Sequence, residues 1–280
     1  MRALLEAARR KGSVLVVGLD PVPSRFPPEL GELPEDRAVL EFCRGILEAV
    51  EPYAAAVKLQ AAYFERLGPA GMRIYADLIE DARALGLPTI ADVKRGDIGP
   101  VAAVYAEAHL ATYGATCVTV NAYMGADAVL PFLEETRRLK RGGGVFVLVA
   151  TSNPSASTFQ ETTAPPVFEV AAGLVAELGR QGGGGYPDAG AVVGATRPET
   201  GRRVRELLPD ALFLIPGYGA QGGGAADVRP LLNCRSAGVL VNSARGVLYA
   251  YEVSHSGYRE AARNAASRAR DDLRSIGAKV

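Results

Sequence analysis

The chain has 280 residues, 48% of them hydrophobic, with 31 lysines and arginines against 31 aspartates and glutamates. That balance leaves no net field to draw the protein to nucleic acid or an anionic membrane, and the apolar content argues against disorder, so a small-molecule partner is expected. The opening MRALLEAARRKG reads as a short amphipathic helix without the apolar core of a signal peptide, and no later run is long enough to span a bilayer; a soluble cytoplasmic protein is expected.

Eight short β-rich runs follow in order: VLVVGLD (14–20), AAVKLQ (55–60), PTIADVK (88–94), TCVTVNAY (116–123), VFVLVATS (145–152), AVVGAT (191–196), LFLIPGYG (212–219) and GVLVNSAR (238–245). Helical patterns separate them, at 36–50, 71–86, 102–114, 126–140, 164–179 and 197–208. Strands apolar on both faces and alternating with helices predict a parallel sheet covered on its outer side. Eight such units predict closure into a single-domain (β/α)8 TIM barrel over 1–280 with a short N-terminal helix; a doubly wound open sheet is the alternative. The segments RGGG (141–144) and QGGGGYPDAG (181–190) precede strands and read as flexible connections, whereas TSNPSASTFQETTAPP (151–166) is long for a strand-to-helix loop and is a candidate lid.

Polar residues recur at the C-terminal ends of these strands: Asp20, Lys58, Asp92, Lys94, Asn121, Ser152, Thr196, Gln221 and Arg245. In a barrel those ends form one mouth, the face that carries active sites. Asp92 and Lys94 are two apart, so a regular strand points both to one side, with Ala91 and Val93 on the other; Lys58 shares a face with Gln60 in the same way. Such a cluster of charge is either a structural salt-bridge network or a preorganised array that stabilises negative charge developing on a substrate. His109, in a helical pattern, and His255, in a loop, are the only histidines and read as structural or solvated. Cys43, Cys117 and Cys234 lack metal-binding spacing and read as buried small hydrophobes. A catalytic triad and a histidine-ligated metal are both poor explanations, and no metal or cofactor is expected.

ADVKRGDIG closely resembles the signature of the orotidine 5′-phosphate decarboxylase family, and VGLDP, AVKLQAAYFE, ATSNPS, IPGYGAQGG and VNSARGVLYA resemble its other segments in the right order. The resemblance runs from about Val14 to Tyr251 and is to the longer bacterial subgroup. It implies conversion of orotidine monophosphate to uridine monophosphate in pyrimidine synthesis. Lys94 is then the proton donor to C6, and Lys58, Asp92 and Asp97 complete the charge array. The resemblance also implies a homodimer in which Asp97 and Ile98 reach the neighbouring site. Asp20 is implied to bind a ribose hydroxyl, Ser152 with Asn153 the pyrimidine edge, and Gln221 and Arg245 the 5′-phosphate. Family members commonly carry a small hydroxyl residue where this chain has Pro100 and Val101, a departure that touches one hydrogen bond to the ribose or across the dimer and leaves the charge array intact.

GYGAQG formally matches GxGxxG, but the position about twenty residues past its last glycine is Asn242 rather than an acid, so a dinucleotide site is not expected and a phosphate-binding loop fits better. Two rival functions remain at this level: a metal-dependent sugar-phosphate lyase or epimerase of similar barrel, whose chemistry needs a free carboxylate set, and a non-catalytic phosphoribosyl-binding protein, which has no need of an Asp-Lys-Asp network.

Overall fold

A computed structural model describes residues 1–180, 185–219, 223–254 and 256–279. Among the described residues, β1 (Leu15–Leu19), β2 (Ala56–Gln60), β3 (Thr89–Arg95), β4 (Cys117–Val120), β5 (Gly144–Ala150), β6 (Ala189–Val193), β7 (Phe213–Ile215) and β8 (Val239–Ser243) close a parallel barrel in sequence order. β8 returns to β1 with Val16 opposite Asn242. The open-sheet alternative is thereby excluded.

The helices in chain order are α1 (Arg2–Lys11), α2 (Glu35–Val50), α3 (Ala62–Glu65), α4 (Gly68–Ala84), α5 (Gly99–Ala106), α6 (Ala126–Leu139), α7 (Ala156–Gln160), α8 (Val167–Leu178), α9 (Pro198–Leu207), α10 (Ala225–Val228), α11 (Arg245–Leu248) and α12 (Tyr258–Ser275). A π-helical stretch, Glu107–Thr112, continues α5. Strand residues divide by the period of two. Val57, Leu59, Ala91 and Val93 join the core under the helices, while Val16, Ala56, Ile90, Phe146 and Leu240 pack together in a second cluster with Leu4, Leu5 and Ala8 of α1. The N-terminal helix therefore stoppers the barrel at the end opposite the polar strand ends, and the mouth is left to the charged residues.

RGGG (141–144) is a close-packed corner rather than a flexible connection. A Cβ on Gly143 would lie 1.9 Å from the Thr116 carbonyl oxygen, and the Gly142 carbonyl accepts the Ala3 amide at 3.0 Å, so the glycines let α1 dock. Residues 181–184 of the other glycine-rich segment lie outside the described residues. The candidate lid is partly helical, containing α7. Cys43 and Cys117 are buried, but Cys234 is exposed, because it falls in the turn before β8 where no core lies above it. His109 is buried edge-on to Tyr75, and burial, helped by the charge of Arg95, lowers its pKa to about 4. His255 lies outside the described residues.

Candidate active site

Lys58 belongs to β2 and Asp92 to β3, and both point into the barrel near its mouth. The register places Lys58 beside Ile90 and Gln60 beside Asp92. Asp92 is the hub. Its Oδ2 accepts from Lys58 Nζ at 2.7 Å and Gln60 Nε2 at 3.2 Å; its Oδ1 accepts from Lys94 Nζ at 2.6 Å and the Thr119 hydroxyl at 2.9 Å. A carboxylate has about four lone-pair sites, and here four donors fill them. Asp20, just past β1, adds a second acid 3.7 Å from Lys58 Nζ.

The electrostatics follow from burial. The side chains of Lys58 and Asp92 are only 6% and 9% exposed, whereas that of Lys94 is 44% exposed and reaches into the mouth. Burial, the largest single influence on Asp92, pushes its carboxyl up, but the charges of Lys58 and Lys94 and their hydrogen bonds outweigh it and hold the acid well below the usual carboxylate range. Burial likewise favours the neutral amine of Lys58, and the charges of Asp92 and Asp20 reverse this, leaving its pKa raised. The cluster is thus an ionised array set in place before any ligand arrives.

Lys94 departs from the regular pleat that the spacing predicts. Its φ is +47°, and the β3–β4 register passes from Ala91 opposite Val118 to Arg95 opposite Val120, so residues 92–94 face Thr119 alone. The Lys94 amide, turned out of the ladder, donates to Thr119 Oγ1 at 3.0 Å. Thr119 thus accepts from Lys94 and donates to Asp92 with one hydroxyl. Sequence reasoning missed it, although the alternation in TCVTVNAY points Thr119 inward.

The cluster floors a cavity of about 650 Å³ whose wall includes Asp20, Lys94, Ser152, Asn153, Asn242 and Arg245. Asp20 Oδ1 and Asn242 Oδ1 are buried acceptors that receive no hydrogen bond within the protein. Asn242 is the second residue that sequence reasoning passed over. A Cβ on Gly18 would sit 3.1 Å from Asn242 Oδ1 and 2.8 Å from Ala244 Cβ, so glycine on β1 leaves the space that Asn242 occupies. On the β5 side, Gln160 of α7 clasps Thr151 twice, accepting its amide at 3.1 Å and donating to its hydroxyl at 2.7 Å; Thr151 Oγ1 in turn donates to Asn153 at 2.6 Å. These bonds order the loop beside Ser152. Arg245 opens α11 at the cavity edge. Asn121 and Thr196 sit at strand ends but outside the cavity wall, with Thr196 Oγ1 bonded to the Ser152 carbonyl. Asp97 and Ile98 are not brought to the cluster of their own chain. Asp97 Oδ1 accepts the Ile98 amide at 2.8 Å, and Ile98 is 58% exposed. Gln221 lies outside the described residues.

A closed parallel barrel with an ionised lysine-carboxylate array at the C-terminal mouth of its strands defines an enzyme of the (β/α)8 class. The model of the orotidine 5′-phosphate decarboxylase / HUMPS family matches residues 13–257, and the chain belongs to that family. Among curated relatives, orotidine 5′-phosphate decarboxylase of Aromatoleum aromaticum is 41% identical over 98% of this chain and 97% of its own. The protein of the same name from Rhodopirellula baltica is 40% identical over 88% and 87%. The solved structure of Leishmania donovani OMP decarboxylase superposes with a TM-score of 0.79, 30% identity, and coverage of 98% of this chain and 96% of that one.

Proposed function

We propose that the chain decarboxylates orotidine 5′-phosphate to UMP, with Lys94 delivering the proton that replaces carbon dioxide at C6. The observation that carries this reading is the Asp92 hub, which fixes two lysines against one carboxylate and turns the more exposed ammonium, that of Lys94, into the cavity. Loss of carbon dioxide leaves electron density in an sp² orbital that the ring delocalises poorly, so stabilisation must come from fixed charge. The Lys94 ammonium lies 2.6 Å from Asp92 Oδ1. It attracts the developing carbanion and then protonates it, and no donor has to reorganise as the charge appears. Lys58 and Asp92 act as its electrostatic frame.

The remaining assignments follow the cavity wall. Asp20, whose Oδ1 has the Lys58 ammonium at 3.7 Å but no hydrogen bond, takes a ribose hydroxyl, and Ser152 with Asn153, on the same wall, is assigned the pyrimidine. Arg245 at the cavity edge takes the 5′-phosphate, whose binding energy serves orientation at the distant carbon; Gln221, outside the described residues, is assigned to the phosphate by the family resemblance alone. A metal-dependent sugar-phosphate lyase fits the site poorly, since the lone pairs of Asp92 that a cation would need are already filled by four donors, and a purely binding role does not call for such an array. Among the described residues no group of three or more His, Cys, Asp or Glu is arranged to hold a metal ion.

The functional unit of this reading is a homodimer that shares its sites. Ile98, Val101 and Val104 are exposed apolar side chains next to Asp97, and Tyr123 and Met124 are exposed just before α6. Gly99 approaches the start of α6, with a Cβ there 3.7 Å from the Asp127 carbonyl, so the two groups border one face. A second copy seated on that face would bring Asp97 and Ile98 to its partner's cavity. A cytoplasmic setting agrees with three free thiols and with the absence, among the described residues, of any helix long and apolar enough to cross a membrane.

The test is an absorbance assay on orotidine 5′-phosphate with protein dialysed exhaustively against a chelator. Full turnover is expected. Turnover that returns only on adding Mg²⁺ would contradict the mechanism.

A further inference from the structure

Three described non-glycine residues have positive φ: Lys94, Lys140 and Ser236. Lys140 caps the C-terminus of α6 and Ser236 lies in a turn, where the left-handed region is common. Lys94 stands inside a strand, where a side chain with a Cβ disfavours it and the surroundings must impose it. Thr119 satisfies the amide that the bulge frees, but it sits on the β4 side only and does not close the bulge itself.

Arg95 does. Its amide carbonyl re-enters the ladder by accepting the Asn121 amide at 2.7 Å. Its Nη1 donates back across the bulge to the Val93 carbonyl at 3.1 Å, so the residues on both sides of Lys94 are tied together by one side chain. Its Nη2 pairs with Glu65 at the end of α3, and its guanidinium lies 5.4 Å from the centre of the Tyr105 ring of α5. The guanidinium therefore anchors the strand end to the helices that follow β2 and β3. Neither Arg95 nor Glu65 lines the cavity.

We propose that Arg95 and Glu65 are a positioning pair for Lys94: together they clamp the bulge so that the left-handed backbone aims the Lys94 ammonium at Asp92 and into the cavity. The proposal rests on Lys94 being the proton donor. A bidentate fork is needed to reach a backbone carbonyl and a carboxylate at once, which explains arginine rather than lysine at 95.

The experiment compares Arg95→Met, Glu65→Gln and Lys94→Ala with the wild type by steady-state kinetics, thermal unfolding and crystallography. For Arg95→Met a fall in kcat of about 10- to 100-fold is expected, with KM within about threefold, as for loss of a group that orients a reacting one. The crystal structure of that variant should show Lys94 leaving positive φ. Glu65→Gln, which keeps the guanidinium and removes its anchor, should show a smaller fall in kcat and serves as the reporter where Arg95→Met does not fold. A merely structural salt bridge would lower the melting temperature and leave kcat of the folded protein and φ of Lys94 unchanged, and that result overturns the proposal. If Lys94→Ala is inactive while both Arg95→Met and Glu65→Gln keep full kcat, the pair alone is refuted; if Lys94→Ala stays active, the proton-donor reading fails first.

Discussion

Lys58 and Lys94 approach opposite oxygens of the Asp92 carboxylate, at 2.7 and 2.6 Å, and one ammonium is buried while the other opens to the cavity. The pair divides two tasks: Lys58 fixes the acid, and the acid holds Lys94. A pH dependence of stability follows from their shifted pKa values. The depressed Asp92 contributes stability that is present above its unfolded value of about 3.9 and is lost as pH falls through the folded one. The raised Lys58 contributes stability that is present below about 10.4 and is lost as pH rises through its folded value. Urea unfolding of the wild type against the double variant Lys58→Met/Asp92→Leu should therefore give a difference that is flat from about pH 5 to 9 and moves against the wild type outside that window. A difference that slopes through neutrality would mean that the cluster is not ionised as described.

Thr119→Val preserves shape and removes both the acceptor for the Lys94 amide and the donor to Asp92. The expected cost is about 1–2 kcal/mol in the transition state, roughly 5- to 30-fold in kcat/KM, and Thr119→Ser should restore most of it. Wild-type kinetics in Thr119→Val would remove the hydroxyl from the account.

The proposed sharing of the site predicts complementation. Lys94→Ala and Asp97→Ala homodimers should each be inactive, and mixing them with subunit exchange verified should regenerate activity, because one of the two sites in a hybrid is then intact. Ile98→Asp combined with Val104→Asp should favour monomers in sedimentation and lower activity in parallel. Full activity in a demonstrated monomer would contradict the shared site.

Arg245 is assigned to the phosphate and Lys94 to C6, so their losses should differ in kind. Arg245→Ala should cost about 2–5 kcal/mol in kcat/KM on the whole substrate. On a truncated nucleoside that lacks the phosphate it should cost little, and free phosphite should activate the wild type but not this variant. Equal damage on both substrates would move Arg245 out of the phosphate site.

The barrel was legible because eight short runs apolar on both faces alternate with helical patterns, and because polar residues gather at one end of each strand. The C-terminal helix α12 escaped notice, since its buried face is built from Ala261, Ala262, Ala265, Ala266 and Ala269, which give a weak hydrophobic signal despite packing that includes Tyr258 against Phe42. Asp92 and Lys94 were legible as neighbours from their spacing, and Lys58 as a strand-end residue at the same mouth. The way Lys94 reaches Asp92 was not, because the alternation rule assumes a regular pleat and the chain turns left-handed there. Thr119 and Asn242 were visible only as inward-facing positions: the polar partners of Thr119, Asp92 and Lys94, lie on a strand some way off in sequence, and Asn242 Oδ1 has no hydrogen-bond partner within the protein. RGGG looked flexible because composition cannot distinguish glycines that loosen a loop from glycines that let two backbones touch.

In the proposed mechanism the Lys94 ammonium acts at the reacting carbon, and the most direct measurement is the decarboxylation rate of Lys94→Ala on orotidine 5′-phosphate, with UMP affinity measured on the same preparation. A fall in kcat/KM of about 10³-fold or more is predicted, in the range of a lost general acid that also supplied fixed charge, while UMP binds within several-fold of wild type. A variant that keeps kcat/KM within about tenfold of wild type would contradict the assignment of the proton to Lys94.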